Sequence, residues 1–546
     1  MPIFCMAMIS CGTSKKEATF SYFSYNGDDP RFEKQIDTSK EYLNPILAGF
    51  YPDPSICKKG DTFYLVNSSF SFFPGVPIFT SKDLVNWQQI GHVLDRKSQL
   101  DVEGLGVSRG IYAPAITYNE NNDTFYMITT LVDKGGNFFV KSKDPAEGWS
   151  DPIWLPAVDG IDPSFLFDKD GKGYIVHNAP VNGTPRYEGE RSIRLLYFDV
   201  ENDTTIGEPI EILRSGTHVR ENPIWIEGPH LYHIGDYYYL MCAEGGTCED
   251  HSEVILRAKA PEGPWEESPL NPILTQREGL DPDRDDIVTS TGHADMIQDN
   301  NGDWWAVFLG CRPYEGDLYN TGRDTFLLPV EWVDGWPVIL EKNTPVPTVV
   351  AKENLQPMEN LMTGNFSYID DFQGNGLSDK WIFLRNPQSE FYTIDNNGLT
   401  ITPSSGKITE KEPLSAIFRR QQHTNFSAET EVNFTPQTEN DLAGMVLLQN
   451  EDYNFIFGKT MEDGTQKIVL KRNAGTEEEV ASAPISTDTV KLKVNGKGKY
   501  YSFYYQPEGS EEWVLLADNV DASNLSTNKS GGFIGAVIGL YAHSGE

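Results

Sequence analysis

The chain of 546 residues is too long for one ordinary hydrophobic core, so its length predicts two or more domains. It carries 80 acidic and 44 basic residues, which give a net charge of −36 at pH 7. A surface this negative repels nucleic-acid phosphates and anionic lipids, so it argues against a nucleic-acid partner. A neutral polysaccharide is not repelled in this way and remains compatible with the charge.

The N-terminus begins with ten mostly apolar residues, MPIFCMAMIS, and Cys11 follows them before a polar stretch. This arrangement resembles the end of a bacterial lipoprotein signal, with Cys11 as the lipidated residue. We therefore expect a leader at residues 1–20 and an N-terminal extension at 21–43. The protein would then be a periplasmic or outer-membrane lipoprotein of the bacterial cell envelope, in contact with a membrane only through that lipid. The alternative is a disordered cytoplasmic leader.

Residues 44–340 contain one pattern five times: a short apolar strand, a turn, and an aromatic-rich strand. The five copies are DPSICKKGDTFYLV, APAITYNENNDTFYMI, DPSFLFDKDGKGYIV, EGPHLYHIGDYYYLM and HADMIQDNNGDWWAVF. Each is typical of a β-hairpin, and the starts lie 60, 49, 65 and 66 residues apart, which leaves room for a four-stranded sheet. This predicts an all-β, five-bladed β-propeller. A β-sandwich with insertions is the alternative.

The first strand of every propeller blade lines the central channel, so equivalent positions of the repeat meet near one axis. The first aligned positions are Asp53, Ala113, Asp162, Glu227 and His293. Clustered carboxylic acids repel and desolvate one another, so three of them at one axis indicate a functional site rather than a structural channel. A cation held by these same groups is the alternative.

The sequence predicts no required cofactor and no metal site with a defined ligand set. A structural calcium ion near His293 would suit the charges, although no ligand spacing requires it. None of the six cysteines has the C-x-x-C spacing of a zinc or redox site. Cys242 and Cys248 could form a disulfide, and free thiols are the alternative.

The three axial carboxylic acids suit the hydrolysis of a glycosidic bond. That reaction needs an acid for the leaving oxygen and a base or nucleophile on the opposite face of the sugar. A third carboxylate nearby can raise the pKa of its neighbour by like-charge repulsion.

Three segments, GFYPDPSI, GIDPSFLF and IEGPHLY, resemble glycoside hydrolase family 43 in sequence and in order. This family includes β-xylosidases and α-L-arabinofuranosidases. The resemblance implies inverting hydrolysis in which Asp53 is the general base and Glu227 the general acid. It implies that Asp162 adjusts the pKa of the acid and orients it. For inversion we expect the carboxyl groups of Asp53 and Glu227 to be about 6.5–9.5 Å apart.

Four further residues are matched by the same resemblance. Phe70 in NSSFSFFPGVPI would form an aromatic platform, and Tyr112 stands where the family usually has tryptophan. His293 in TGHADM would bind substrate or water, and Arg323 in TGRDTFLLPVEW would contact the first sugar. The alternative for the two aromatic residues is an ordinary place in the core.

One segment departs from the family pattern. The family's xylosidases carry an aromatic wall near the position of residues 177–180, and no aromatic residue stands there in this chain. The segment RYEGER at 186–191 is typical of a different branch. The shape of the sugar subsites, and with it the substrate, therefore stays open.

The C-terminal part changes character after a predicted linker at residues 341–366. Residues 367–546 show alternating strands and tight turns typical of an antiparallel β-sandwich. They resemble the concanavalin-like jelly-roll domain of many β-xylosidases, which can add a loop to the active-site rim. A passive stabilising domain is the alternative. Because the family pattern continues into one more strand, we expect the sandwich to be truncated.

The leading functional hypothesis is the release of terminal xylose from β-1,4-xylo-oligosaccharides. A second keeps the chemistry and changes the sugar to α-L-arabinofuranose, removed from arabinoxylan or arabinan. The expected partner is in both cases a xylo- or arabino-oligosaccharide. A third hypothesis, from another class, is a non-catalytic glycan-binding lipoprotein.

Overall fold

The computed structural model describes residues 16–356, 362–388 and 390–545. These residues fold mainly into β-strands, with one short α-helix and two 3-10 helices: Thr527–Ser530, Pro30–Phe32 and Ser523–Leu525. The all-β prediction is confirmed. No helix in the described ranges is long and apolar enough to cross a membrane. Cys11 and the first part of the predicted leader lie outside the described residues.

The first half of the chain forms five antiparallel sheets, each built from strands close together in sequence. The first sheet contains Ser55–Lys59, Thr62–Val66, Gly75–Ser81 and Gln88–Leu94, and the second contains Gly110–Asn119, Thr124–Val132, Gly136–Ser142 and Ile153–Trp154. The third sheet contains Ile161–Phe167, Gly173–Pro180, Arg191–Asp199 and Thr204–Arg214. The fourth contains Glu227–Ile234, Tyr237–Glu244, Ser252–Ala258, Glu266–Glu267 and Leu274–Thr275, and the fifth contains Thr289–Gln298, Trp304–Cys311 and Arg323–Pro329. The predicted hairpins are the first two strands of each sheet. The first strands contact one another in sequence order, and the fifth also contacts the first.

Near the start of each first strand, a residue with a positive φ angle stands at an equivalent position, although Gly110 and Ser290 also have positive φ angles in the second and fifth of these strands. The equivalent residues are Asp53 (51°), Ala113 (36°), Asp162 (55°), Gly228 (54°) and His293 (51°). In the last four of the five strands the pairing register shifts across this residue, as expected for a β-bulge. The structural equivalent of Asp53 in the fourth sheet is therefore Gly228, and the prediction that Glu227 shares this register was wrong by one residue.

The reason for the offset is the packing of Gly228 against a neighbouring strand. A Cβ atom on Gly228 would lie 2.9 Å from the ring of His293, closer than real Cβ atoms approach. Since no side chain fits at the register position of this sheet, the carboxyl group of Glu227 is carried by the preceding residue.

The second half of the chain forms the predicted β-sandwich from two antiparallel sheets. The first contains Tyr392–Asp395, Gly398–Ile401, Ala18–Gly27, Asn425–Asn433, Thr489–Lys497, Tyr500–Pro507 and Val514–Asp521 in spatial order, with Ser367–Asp370 also beside Ala18–Gly27. The second contains Ala416–Arg420, Val537–His543, Leu442–Asn450, Tyr453–Glu462, Thr465–Ala474 and Glu477–Pro484. Alternating apolar side chains of both sheets, such as Phe20, Leu447 and Phe503, share one core.

The strand Ala18–Gly27 was not expected in the sandwich. It pairs with Asn425–Asn433 from Thr19 to Gly27, so the predicted boundary between a leader and an extension at residue 20 falls inside one strand. Every second residue at its start is buried in the sandwich core, which fixes it there. The last strand, Val537–His543, lies between two others and is not an edge of its sheet.

Short strands connect the two halves or close loops. They are Glu41–Leu43 with Val349–Ala351, Glu331–Val333 with Trp336–Val338, and Phe72–Phe73 with Phe383–Leu384. The last pair joins the first sheet to the sandwich segment. A separate buried ion pair links the fifth sheet to the sandwich segment: Arg312 donates to Asp324 at 2.8–2.9 Å, to Asp29 at 3.2 Å and to the Gln422 carbonyl at 3.0 Å.

The disulfide between Cys242 and Cys248 is absent from the described residues. Both are free thiols, as are Cys57 and Cys311. Cys242 is buried within the strand Tyr237–Glu244, whereas Cys248 is exposed in the loop that follows, so the two side chains have different surroundings.

Candidate active site

All seven predicted site residues line one cavity of about 440 Å³. They are Asp53, Phe70, Tyr112, Asp162, Glu227, His293 and Arg323. The first strands of the sheets bring the three carboxyl groups and His293 together, while Arg323 opens the third strand of the fifth sheet. Residues that are distant in the chain are therefore adjacent in the fold.

Asp53 is buried and surrounded by hydrogen-bond donors and positive charge. Ser68 Oγ donates to its Oδ2 at 2.6 Å, and Arg323 Nη1 donates to its Oδ1 at 3.2 Å. His293 Nδ1 lies 3.6 Å from the same Oδ1. Burial alone would raise the pKa of Asp53, but Arg323, His293 and Ser68 outweigh it, so the pKa is lowered and the group is a carboxylate at neutral pH.

Asp162 and Glu227 are buried carboxyl groups with raised pKa values. Burial and the charge of Asp53 raise the pKa of Asp162 to about 7, against a hydrogen bond of 3.2 Å from the Gly228 backbone N–H. Burial raises the pKa of Glu227 well above its usual range, and the charges of Asp162 and Asp53 add to the effect. The raised pKa favours the protonated form of Glu227.

His293 and Arg323 stand on the Asp53 side of the cavity. Burial lowers the pKa of His293 to about 4, although Asp53 opposes the shift, so the imidazole is neutral at pH 7. Burial would lower the pKa of Arg323, but Asp53 and its other neighbours raise it. The guanidinium is thus a fixed cation beside the carboxylate of Asp53.

Phe70 and Tyr112 form an aromatic side of the cavity. Their ring centroids are 5.5 Å apart, and Phe70 is also stacked on Phe533 at 6.2 Å. Phe70 is 1% exposed, so most of its surface is covered by these neighbours. The Tyr112 hydroxyl donates to the Ser108 carbonyl at 2.8 Å and accepts from Arg109 at 3.2 Å.

The other residues that line the cavity include Phe533, Arg191 and Trp225, which were not named as site residues from the sequence. Phe533 comes from the sandwich, and its carbonyl accepts a hydrogen bond from Arg323 at 3.4 Å. The sandwich therefore reaches the rim of the cavity. Arg191 ends the RYEGER segment, which was the one available signal in the sequence.

The described ranges, 16–356, 362–388 and 390–545, contain no group of three or more His, Cys, Asp or Glu side chains that could hold a metal ion. The calcium ion expected near His293 stays a prediction.

Comparison with known proteins agrees with this geometry. The model for Glycosyl hydrolases family 43 matches residues 42–337, and the model for the Beta xylosidase C-terminal Concanavalin A-like domain matches residues 369–546. A xylosidase/arabinosidase of Butyrivibrio fibrisolvens is 40% identical over 510 residues, which cover 92% of this chain and 95% of that protein.

Two further relatives extend the comparison. The non-reducing end alpha-L-arabinofuranosidase BoGH43B of Bacteroides ovatus is 38% identical over 92% of this chain and 91% of its own. A crystal structure of a GH43_12 retrieved from capybara gut metagenome is 42% identical, has a TM-score of 0.88, and covers 96% of this chain and 99% of that one. The chain therefore belongs to glycosyl hydrolase family 43 and is a glycoside hydrolase with a concanavalin-like C-terminal domain.

Proposed function

We propose that this enzyme releases terminal xylose from β-1,4-xylo-oligosaccharides with inversion at the anomeric carbon. The observation that carries the proposal is the opposite protonation of two carboxyl groups in one cavity. The pKa of Asp53 is lowered, while that of Glu227 is raised. An inverting glycosidase needs an ionised base and a protonated acid at the same pH.

The reaction follows from these two states. The Asp53 carboxylate removes a proton from a water molecule, and the water oxygen attacks the anomeric carbon. Glu227 gives its proton to the glycosidic oxygen as the bond from that oxygen to the anomeric carbon breaks. In its ionised form Asp162 raises the pKa of Glu227 and so favours the proton on the acid. The expected separation of about 6.5–9.5 Å between the base and the acid remains a prediction.

Four other residues would hold the terminal sugar: Phe70, Tyr112, His293 and Arg323. Arg323 and His293 both approach the same oxygen of Asp53, at 3.2 and 3.6 Å. A sugar hydroxyl placed beside that oxygen would therefore meet a cation and a neutral imidazole. The aromatic pair would cover the apolar face of the ring.

Xylose is the first choice for the released sugar, and α-L-arabinofuranose is the near alternative. Relatives named beta-xylosidase include a Bacillus subtilis protein that is 32% identical over 91% of this chain. The relatives with 40% and 38% identity are named xylosidase/arabinosidase and alpha-L-arabinofuranosidase, which keeps the alternative open. A non-catalytic glycan-binding role has less support, because binding alone needs no pair of carboxyl groups with opposite protonation.

The test compares kcat/KM for p-nitrophenyl β-xyloside and p-nitrophenyl α-arabinofuranoside, since that ratio measures specificity. We expect a higher value for the xyloside. A clear preference for the arabinofuranoside would replace the first choice with the second. Proton NMR of the first product from the β-xyloside should show α-xylose, and early β-xylose would exclude inversion.

We further infer that the five sheets form a five-bladed propeller at residues 44–340. The support is the closed order of contacts between the first strands, together with the positive φ angle repeated in each of them. A linker at 341–366 and a sandwich domain at 367–546, which also takes in Ala18–Gly27, complete the proposed division of the chain.

Two expectations about location and metal binding remain proposals. Lipid attachment at Cys11 and a place in the cell envelope would be tested by palmitate labelling and by fractionation of the cells that produce the protein. A structural calcium ion near His293 would be tested by thermal unfolding with and without a chelator, and an unchanged melting temperature would argue against it.

A further inference from the structure

Trp225 is an exposed aromatic residue at the rim of the catalytic cavity. It is 39% exposed, it lines the cavity, and it stands two residues before Glu227. Its φ angle is +50°, a strained conformation for a bulky residue. Such strain persists only where the surroundings hold it, and it is frequent at ligand-binding positions. The position of this side chain is therefore not explained by packing in the core.

Arg191 supports the indole of Trp225. Its guanidinium carbon lies 5.0 Å from the ring centroid, over the face of the indole. The guanidinium is itself fixed, because Nε and Nη2 donate to Asn178 Oδ1 at 3.1 and 2.7 Å. Asn178 in turn donates to the Ile226 carbonyl at 2.6 Å. Within the described part of the chain, Nη1 of Arg191 makes no hydrogen bond, so this donor is free for a ligand.

The segment 186–191, which departs from the family pattern, anchors this pair. Its buried Glu190 accepts hydrogen bonds from the backbone N–H of Arg186 at 2.6 Å and from Ser215 Oγ at 2.6 Å. The Gly189 carbonyl then accepts from the Trp225 N–H at 2.9 Å. The segment is thus folded around one carboxylate and holds the backbone of Trp225 in place.

We propose that Trp225 and Arg191 form the subsite for the second sugar ring, the ring that leaves when the terminal sugar is released. This inference rests on the proposed function. Glu227 protonates the oxygen between the two rings, so the leaving ring must lie on the Glu227 side of the cavity, where Arg191 and Trp225 stand. Pyranose rings present C–H groups that pack on aromatic faces, and the free Nη1 donor suits a ring hydroxyl.

The main experiment compares two substrates of the Trp225→Ala variant. Xylobiose places a second ring on the platform, whereas β-xylosyl fluoride has a leaving atom without a ring. We expect kcat/KM for xylobiose to fall about tenfold more than kcat/KM for the fluoride, mainly through KM, because binding of the leaving ring is lost. Equal losses on both substrates, or no loss on xylobiose, would overturn the proposal.

Trp154→Ala is the matched control, since Trp154 is 44% exposed on an outer strand away from the cavity. This variant should leave kcat/KM unchanged for both substrates.

A second pair of variants tests whether the segment 186–191 holds Trp225 in place. A Cβ on Gly189 would lie 3.0 Å from Ile224, whereas a Cβ on Gly183 meets nothing within 4 Å, and both glycines have a φ angle near +80°. Gly189→Ala should repeat the selective loss on xylobiose, and Gly183→Ala should not.

A binding measurement separates this inference from the proposed function. In the Glu227→Gln background, calorimetry compares the affinities for xylobiose and for xylose with Trp225 present or replaced by alanine. Replacing Trp225 should weaken the binding of xylobiose and leave the binding of xylose unchanged. If wild-type enzyme hydrolyses neither pentoside, the proposed function fails, but the subsite is refuted only when Trp225→Ala leaves xylobiose binding unchanged.

Discussion

Asp53 and Glu227 line the same cavity in opposite surroundings. Asp53 accepts hydrogen bonds from Ser68 and Arg323, and these partners outweigh its burial. The carboxyl group of Glu227 makes no hydrogen bond or ion pair to any described residue, and it is buried close to Asp162. The pKa values of two carboxyl groups of nearly equal intrinsic acidity are thus shifted in opposite directions, which supports the proposed roles of Asp53 as base and Glu227 as acid.

The largest expected effect comes from removing the acid. Glu227→Gln should lower kcat for xylobiose by about 10²–10⁴, because the leaving sugar then departs without a proton. The loss on β-xylosyl fluoride should be much smaller, since fluoride needs no protonation to leave. Asp53→Asn, which removes the base, should lose activity on both substrates. Similar losses of the two variants on both substrates would contradict the division of roles.

The second-largest expected effect comes from removing the positive charge beside Asp53. Arg323→Met removes the cation beside Asp53, so the pKa of Asp53 should rise. The acid limb of the kcat/KM profile should then move to higher pH, and activity at pH 5 should fall more than activity at pH 7. Arg323→Lys retains the charge and should shift the limb less. An acid limb that stays in place would show that Asp53 does not control it.

The residues that carry the chemistry were predictable because their types are unusual at an axis. Asp53, Asp162 and His293 stand at equivalent points of a repeated hairpin, and ionisable groups at such points have no structural purpose. The hairpin pattern aligned Glu227 with Asp53, because such a pattern cannot distinguish Glu227 from the neighbouring residue Gly228. The proline after the bulge was the better marker, because Pro229 follows Gly228 as Pro54 follows Asp53.

The remainder of the site depends on contacts that no local pattern records. Trp225 comes from the segment before the fourth sheet, Arg191 begins the third strand of the third sheet, and Phe533 comes from the other half of the chain. The strand Ala18–Gly27 belongs to a sheet whose other strands begin after residue 366. Its alternating pattern predicts a strand, but the identity of the partner follows only from the tertiary packing of its buried face.

Replacing Asp162 should cause a smaller shift, in the pKa of the proposed acid Glu227. Asp162→Asn removes a carboxyl group that raises the pKa of Glu227, so the pKa of Glu227 should fall. The alkaline limb of the kcat/KM profile should move to lower pH, opposite in direction to the effect of Arg323→Met. Asp159→Asn removes a half-exposed carboxylate three residues away and should leave the limb in place. An alkaline limb that moves upward in Asp162→Asn would contradict the proposed tuning of the acid.

The smallest expected effect isolates one hydrogen bond on the Asp53 side. Ser68 Oγ donates to Asp53 at 2.6 Å and accepts from the Ala113 N–H at 2.7 Å. Ser68→Ala should raise the pKa of Asp53, with an upward move of the acid limb that is smaller than in Arg323→Met. Ser55→Ala is the matched control, because Ser55 Oγ bridges Asp295 at 2.8 Å and a backbone N–H at 3.0 Å without contacting Asp53. Both variants should lose similar stability in thermal unfolding, and only Ser68→Ala should move the limb. A shift in both would assign the effect to the packing of the first strands rather than to the base.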